Sequence, residues 1–364
     1  MNSRPINVTE PFLPPLEEYV EYLKGIWDRN YLTNQGPLVR ELEQKLQDYH
    51  RLSLPVYCVA NGALGLQIAL KALGVKGEVI TTPFSYVATT SCPLWEDCSI
   101  KFADIEPDYL TLDPQAVEAA ITPKTEAILA THVFGNPCDV EALEVIAKKH
   151  GLALIYDAAH AFGVTYKGRS LLEWGDASMV SMHATKLFHS VEGGFMVTRV
   201  PAIAAKVEWM RRFGHDGADR FHGVGLNAKL SEFHAAMGLS VFKYLPAILD
   251  QRASVIAKYQ AGFAEQRRVC PAFKLRGGTT WNHAYYPVLL ESEALLLRVM
   301  EALAEQQIFP RRYFYPLLDV LGPSAVACPV AGDRARRILC LPLWSQMKPD
   351  SVRCVLNALK TSVK

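Results

Sequence analysis

Apolar positions recur along this chain with two different periods. Leu16, Tyr19, Val20, Leu23, Ile26 and Trp27 fall three or four residues apart, which predicts a helix. Asn34, Gln35 and Gly36 break it, and Pro37 suits the first position of the next, where Leu38, Leu42, Leu46 and Tyr49 share a face. Short apolar runs then alternate with helical stretches. Strands are expected at 55–59, 78–82, 99–103, 126–132, 152–156, 177–182 and 195–198. Helices are expected at 64–73, up to Trp95, at 139–150 and at 202–212, with Gly74 and Gly151 as stops. This alternation argues for an α/β fold with a mainly parallel sheet covered on both faces.

Further on, 229–245 reads as an amphipathic helix in which Ala235, Ala236 and Gly238 permit close packing. A long helix over 246–263 leads into a smaller unit. That unit is expected to hold strands at 283–290 and 336–341, a helix at 292–307 and a last helix from Pro349. The expected division is a large domain, 1–245, and a small one, 246–364. The first fourteen residues are proline-rich and read as extended.

Composition narrows the function classes. The 364 residues are 50% hydrophobic and 21% charged, with a net charge of +1, so no electrostatic footprint points to nucleic acid or an anionic membrane. No apolar run approaches the ~18 residues of a membrane span, and the N-terminus lacks the apolar segment of a secretory signal. The eight cysteines are scattered without a CxxC pair, which suits a reducing cytoplasm. The ten histidines make no metal-binding spacing, so no metal site is expected.

Candidate chemistry concentrates between 151 and 194. The run 152–156 ends on Asp157, and the run 177–182 is followed by Lys186 in a small polar loop closing on Glu192, Gly193 and Gly194. Open α/β sheets bind ligands at the carboxyl ends of their strands. A lysine there can form a Schiff base with an aldehyde cofactor, and a carboxylate can hold a pyridinium nitrogen protonated. Upstream, a strand runs into Asn61, Gly62 and Ala63 and then a helix, whose free N–H groups suit an anion such as phosphate. The segment 163–170 nearly matches a nucleotide-binding phosphate loop, but Arg169 stands where lysine belongs and a hairpin turn at Gly168 is expected instead. A GxGxxG fingerprint and a GxSxG serine are both missing.

Five segments together carry a family likeness: TTPFSYVATT (81–90), THVFGNPCDVEAL (131–143), IYDAAHAFGV (155–164), SMHATKLFHSVEGG (181–194) and RRYFYPLL (311–318). With them, nearly the whole chain resembles the DegT/DnrJ/EryC1/StrS family of nucleotide-sugar aminotransferases. The resemblance implies an aspartate aminotransferase-like fold (type I of the pyridoxal phosphate enzymes), with a mixed seven-stranded sheet and a smaller α+β C-terminal domain. It implies pyridoxal 5'-phosphate (PLP) as cofactor and a homodimer with shared active sites. Within the family the likeness is to enzymes that aminate C4 of a dTDP-4-keto-6-deoxyhexose, with glutamate as donor, for surface polysaccharide or other glycoconjugates. A C3 aminotransferase on the same fold and a non-catalytic PLP-binding regulator are the alternatives.

Residue by residue, the resemblance makes Lys186 the Schiff-base lysine and Asp157 the partner of the pyridine nitrogen. Tyr86 would stack on the cofactor ring, His160 would lie near it, and Ser181, Gly62 and Ala63 would hold the phosphate, with Asn227 reaching in from the neighbouring subunit. Ala63 departs from the family's threonine or serine, removing a hydroxyl. Relatives that dehydrate their substrate carry histidine in place of the lysine; Lys186 opposes that branch. Lys229, Arg311, Arg312, Tyr313 and Tyr315 are candidates for binding the nucleotide-sugar.

Overall fold

The computed structural model describes residues 4–263, 268–321 and 327–363. Its centre is a seven-stranded sheet of β1 (Tyr57–Val59), β2 (Glu78–Thr81), β3 (Ser99–Phe102), β4 (Thr125–Thr131), β5 (Ala153–Asp157), β6 (Ala177–Ser181) and β7 (Gly194–Thr198), in the spatial order β1-β7-β6-β5-β4-β2-β3. The pairs from β6 through β5, β4 and β2 to β3 are parallel. β7 lies antiparallel between β1 and β6. Reversing twice, the chain leaves β1 ending at the same edge as β2 to β6, so that six strand ends face one side.

Burial explains the continuous apolar runs of the sequence. β4, β5 and β6 are buried almost throughout, with helices packed on both faces and a separate apolar cluster on each. One face is covered by Pro37–Tyr49 and Glu232–Phe242, whose Leu42, Leu46, Ala235 and Leu239 belong to the first cluster. The other is covered by Gly62–Leu73 and Pro201–Met210, which bury Leu66, Ile68, Leu70 and Val207 in the second. Gly194 is required where β7 passes under the first of these helices: a Cβ there would stand 2.9 Å from the Gly62 nitrogen.

Local signals set the helix ends. Pro37 opens its helix and Gly74 closes Gly62–Leu73 in the left-handed conformation. The helix expected from 229 starts at Glu232 instead, because the Ser231 side chain accepts the His234 N–H as an N-cap. The C-terminal strand expected from 283 is Tyr286–Leu290. His283, at φ 55°, turns the backbone out of strand geometry, and Arg252 takes the carbonyls of His283 and Ala284.

The last third builds on an antiparallel sheet of Val269–Pro271, Tyr286–Leu290 and Ile338–Leu341. The helices Leu245–Phe263, Glu293–Glu305 and Pro349–Ser362 share a third apolar cluster with it. The N-terminal segment does not run free. Ile6 and Asn7 pair in parallel with Ile308 and Phe309. The near phosphate loop is a hairpin, Thr165–Tyr166 against Arg169–Ser170, turned by Lys167 and Gly168 at φ 51° and 77°. Among the described residues, no helix is long and apolar enough to cross a membrane.

Candidate active site

A cavity of about 480 Å³ opens at the shared edge of the strand ends. β4, β5 and β6 bring Thr131, Asp157 and Ser181 to it as their last residues. Ser85 and Tyr86 arrive on the connection after β2, and Asn61, Gly62 and Ala63 on the turn after β1. Tyr285, Arg311, Tyr313 and Phe314 reach it from the C-terminal third.

Lys186 sits on the loop between β6 and β7. Its backbone N–H closes a turn on the His183 carbonyl, and the loop is pinned by Met182 to Gly193 and by Ser190 to Met182. Its amine donates to the Tyr285 hydroxyl at 3.4 Å. Desolvation pulls the Lys186 pKa down to about 8, against the opposing fields of Asp157 and Tyr86. A large share of the amine is therefore neutral near that pH, as a nucleophile or base requires.

Asp157 is buried. Burial raises its pKa from the ordinary aspartate value, opposed by the Ala159 N–H on Oδ1 at 3.0 Å, the Thr89 hydroxyl on Oδ2 at 2.9 Å and the field of Lys186. His160 lies parallel to the rings of Phe314 and Phe134, with ring centres 5.8 and 6.2 Å away, and its Nδ1 accepts the Phe134 N–H. Burial, and next Lys186, hold its pKa well below the usual value, so it is a neutral imidazole.

Of the thirteen residues singled out from the sequence, Gly62, Ala63, Tyr86, Asp157, His160, Ser181, Lys186, Arg311 and Tyr313 line this one cavity. Four do not. Asn227 is exposed and accepts a hydrogen bond from Lys229, whose amine lies 4.6 Å from the Phe213 ring centre. Arg312 is engaged elsewhere: it pairs with Glu293 at 2.6 Å, donates to the carbonyls of Ala335 and Arg336, and lies over the Tyr315 ring.

Sequence reasoning missed Tyr285, His183, Glu192, Ser85 and Thr131 as lining residues. His183 and Glu192 lay within the stretch that drew attention, and their side chains approach to 3.5 Å, Nε2 to Oε1. Nothing local marks Tyr285, which comes from the segment just before the distant strand Tyr286–Leu290.

The cavity's groups suit pyridoxal phosphate. Gly62 and Ala63 begin a helix whose N-cap, Asn61, takes the Leu64 N–H on its side chain and the Gly65 N–H on its carbonyl. The Gly62 and Ala63 N–H groups find no partner among the described residues, and beside Ser181 they make a cradle for phosphate. A Cβ on Gly62 would meet Met179 Sδ at 2.7 Å. Asp157 is a buried carboxylate in want of a cation, and Lys186 is an amine with no carboxylate hydrogen-bonded to it among the described residues. A phosphate, a cationic ring nitrogen and an aldehyde satisfy all three needs.

Comparison with known proteins agrees. The profile of the DegT/DnrJ/EryC1/StrS aminotransferase family matches residues 16–360. The chain is 38% identical to a dTDP-4-amino-4,6-dideoxy-D-glucose transaminase of Shigella dysenteriae, over 98% of this chain and 99% of the other. It is 35% identical to the Escherichia coli transaminase of the same name, over 97% of each. Among solved structures it is similar to DesI, crystallised with its TDP-sugar product, with a TM-score of 0.93, 33% identity, and coverage of 100% of this chain and 94% of that one.

Proposed function

This chain belongs to the DegT/DnrJ/EryC1/StrS aminotransferase family, and from that premise we propose that it moves the amino group of glutamate to the C4 keto carbon of a dTDP-4-keto-6-deoxyhexose. It is a sugar aminotransferase of amino-sugar biosynthesis, and its cofactor is pyridoxal phosphate. The observation that carries the reading is the meeting of Lys186 and Asp157 in one cavity. The names of the two transaminases and of the DesI complex support the sugar and the position aminated.

When bound, pyridoxal phosphate supplies an aldehyde to take up the amino group and a ring to hold the charge of the deprotonated substrate carbon. The side chains do the rest. Ser181 and the N–H groups of Gly62 and Ala63 would bind the phosphate. Asp157 would hold the proton on the ring nitrogen. Neutral His160, its ring parallel to those of Phe134 and Phe314, would give the cofactor ring an uncharged neighbour, and Tyr86 would stack on it at the mouth. Lys186 Nζ would take the proton from Cα of glutamate and deliver one to C4 of the sugar. Arg311, whose guanidinium lies 4.7 Å from the Tyr313 ring centre, would meet the nucleotide phosphates.

The proposal extends to the assembly: a homodimer with shared sites, each chain lending Asn227 to its partner. The position of Asn227, exposed and outside its own chain's cavity, supports this. It also divides the chain into a large domain, 1–245, and a small one, 246–364. A cytoplasmic location suits the eight unbonded cysteines.

The test is incubation of the purified protein with glutamate and a panel of nucleotide keto-sugars, followed by mass and NMR analysis. An amine at C4 of a dTDP-6-deoxyhexose is expected. An amine at C3, or turnover only with another nucleotide, overturns the substrate assignment.

A further inference from the structure

Three hydroxyl groups behind the cavity join into one chain. Thr131 ends β4, Ser85 sits on the connection after β2, and Thr89 lies in the first turn of the helix Ala88–Trp95. Thr131 Oγ1 and Ser85 Oγ are 3.0 Å apart, Ser85 Oγ and Thr89 Oγ1 are 2.7 Å apart, and Thr89 Oγ1 is 2.9 Å from Asp157 Oδ2. All four residues are buried, none more than 3% exposed. Thr131 and Asp157 are also direct neighbours in register on β4 and β5. The chain thus starts on the strand beside Asp157 and ends on Asp157 Oδ2.

With Asp157 ionised, the contacts admit one direction of donation. An ionised carboxylate only accepts, so Thr89 spends its single hydroxyl proton on Oδ2. The 2.7 Å contact with Ser85 then requires Ser85 to donate, and the 3.0 Å contact with Thr131 requires Thr131 to donate. Three O–H dipoles in series point their positive ends at one oxygen, and such chains strengthen each member. A protonated Asp157 would instead donate to Thr89 and reverse the chain. A threonine in a helix can return its hydroxyl to a carbonyl one turn back; Thr89 gives its hydroxyl to the carboxylate.

We propose that the chain Thr131–Ser85–Thr89 keeps Asp157 an acceptor and fixes the orientation of its carboxylate, making Ser85 and Thr131 positioning residues for the ring proton of the cofactor. The proposal rests on the cofactor-binding role of Asp157. Neither Ser85 nor Thr131 hydrogen-bonds Asp157 through its side chain; each acts through Thr89. If the hydroxyls merely satisfied one another, removing a distal one would leave the cofactor's ring nitrogen unaffected.

The experiment loads the protein with pyridoxal phosphate labelled with 15N in the ring and reads the nitrogen shift and the cofactor dissociation constant. Ser85→Ala, which deletes one oxygen, and Thr131→Val, which keeps the shape, are expected to move the shift toward that of unprotonated pyridine. They are expected to weaken cofactor binding about two- to tenfold, the range of one neutral hydrogen bond. Thr131→Ser, which keeps the hydroxyl, is expected to restore both values. An unchanged shift in Ser85→Ala and Thr131→Val overturns the chain. Failure of borohydride to fix labelled cofactor on Lys186 in the unaltered protein overturns the underlying site assignment instead, and the two failures are read separately.

Discussion

The hydroxyl of Tyr285 lies 3.4 Å from the amine of Lys186, 99 positions earlier in the chain. Lys186 lies on the loop between β6 and β7, and Tyr285 immediately precedes the strand Tyr286–Leu290 of the C-terminal sheet. Tyr285 is held there by its neighbours: Asn282 donates to the carbonyls of His160 and Phe162 and accepts the Ala284 N–H, while Arg252 donates to the carbonyls of His283 and Ala284. Burial raises the Tyr285 pKa, so the hydroxyl is neutral beside the amine. Tyr285→Phe removes that partner and leaves the ring. A neutral hydrogen bond contributes ~1 kcal/mol, so turnover is expected to fall about fivefold. Steady-state kinetics on the keto-sugar, with KM and kcat separated, checks this. An unchanged kcat would show the contact to be incidental.

Lys186 is expected to carry the cofactor. Borohydride reduction followed by peptide mapping should place the adduct on this lysine. Lys186→Ala should still bind pyridoxal phosphate through the phosphate cradle and Asp157 but lose turnover, because both proton transfers need the amine. An adduct on another lysine refutes the assignment.

The low pKa of Lys186 has a kinetic signature. Burial disfavours its ammonium form, so the neutral amine grows with pH through about 8, where an ordinary lysine would titrate near 10.5. The rate at which cofactor-free protein captures added pyridoxal phosphate should therefore rise to about pH 8 and then level off. Stopped-flow absorbance over a pH series measures this. A rate still climbing beyond pH 10 would mean an unperturbed lysine.

Ala63 occupies the cavity wall at the second residue of its helix. Ala63→Thr adds a hydroxyl beside the free N–H groups. A hydrogen bond to a charged acceptor contributes ~1.5–3 kcal/mol, so cofactor affinity should increase at least several-fold. Equilibrium dialysis decides it; unchanged or weaker binding would mean that the space is already taken.

Sharing of sites is testable by complementation. Lys186→Ala and Asn227→Asp should each be impaired alone, the second because a carboxylate would face the phosphate. In a verified heterodimer one site carries both lesions and the other neither, so about half the activity of the unaltered dimer should return. No recovery would place Asn227 outside any shared site.

The sequence by itself determined the elements, because their causes are local. Pro37, Gly74 and Asp139 mark helix ends through their own φ angles or side-chain hydrogen bonds, and the apolar runs at β4, β5 and β6 report burial on both faces. It also marked Asp157, Lys186 and Gly62–Ala63, because strand ends and helix starts are visible from chain order alone. The tertiary structure decided what these groups touch. Ser85 and Thr89 are four residues apart and look like any polar pair, yet the carboxylate they serve is 68 positions beyond Thr89. Arg311 and Arg312 are adjacent in the chain, but one lines the cavity and the other is held by Glu293. The order in which strands assemble and the pairing of distant side chains depend on contacts that no local period encodes.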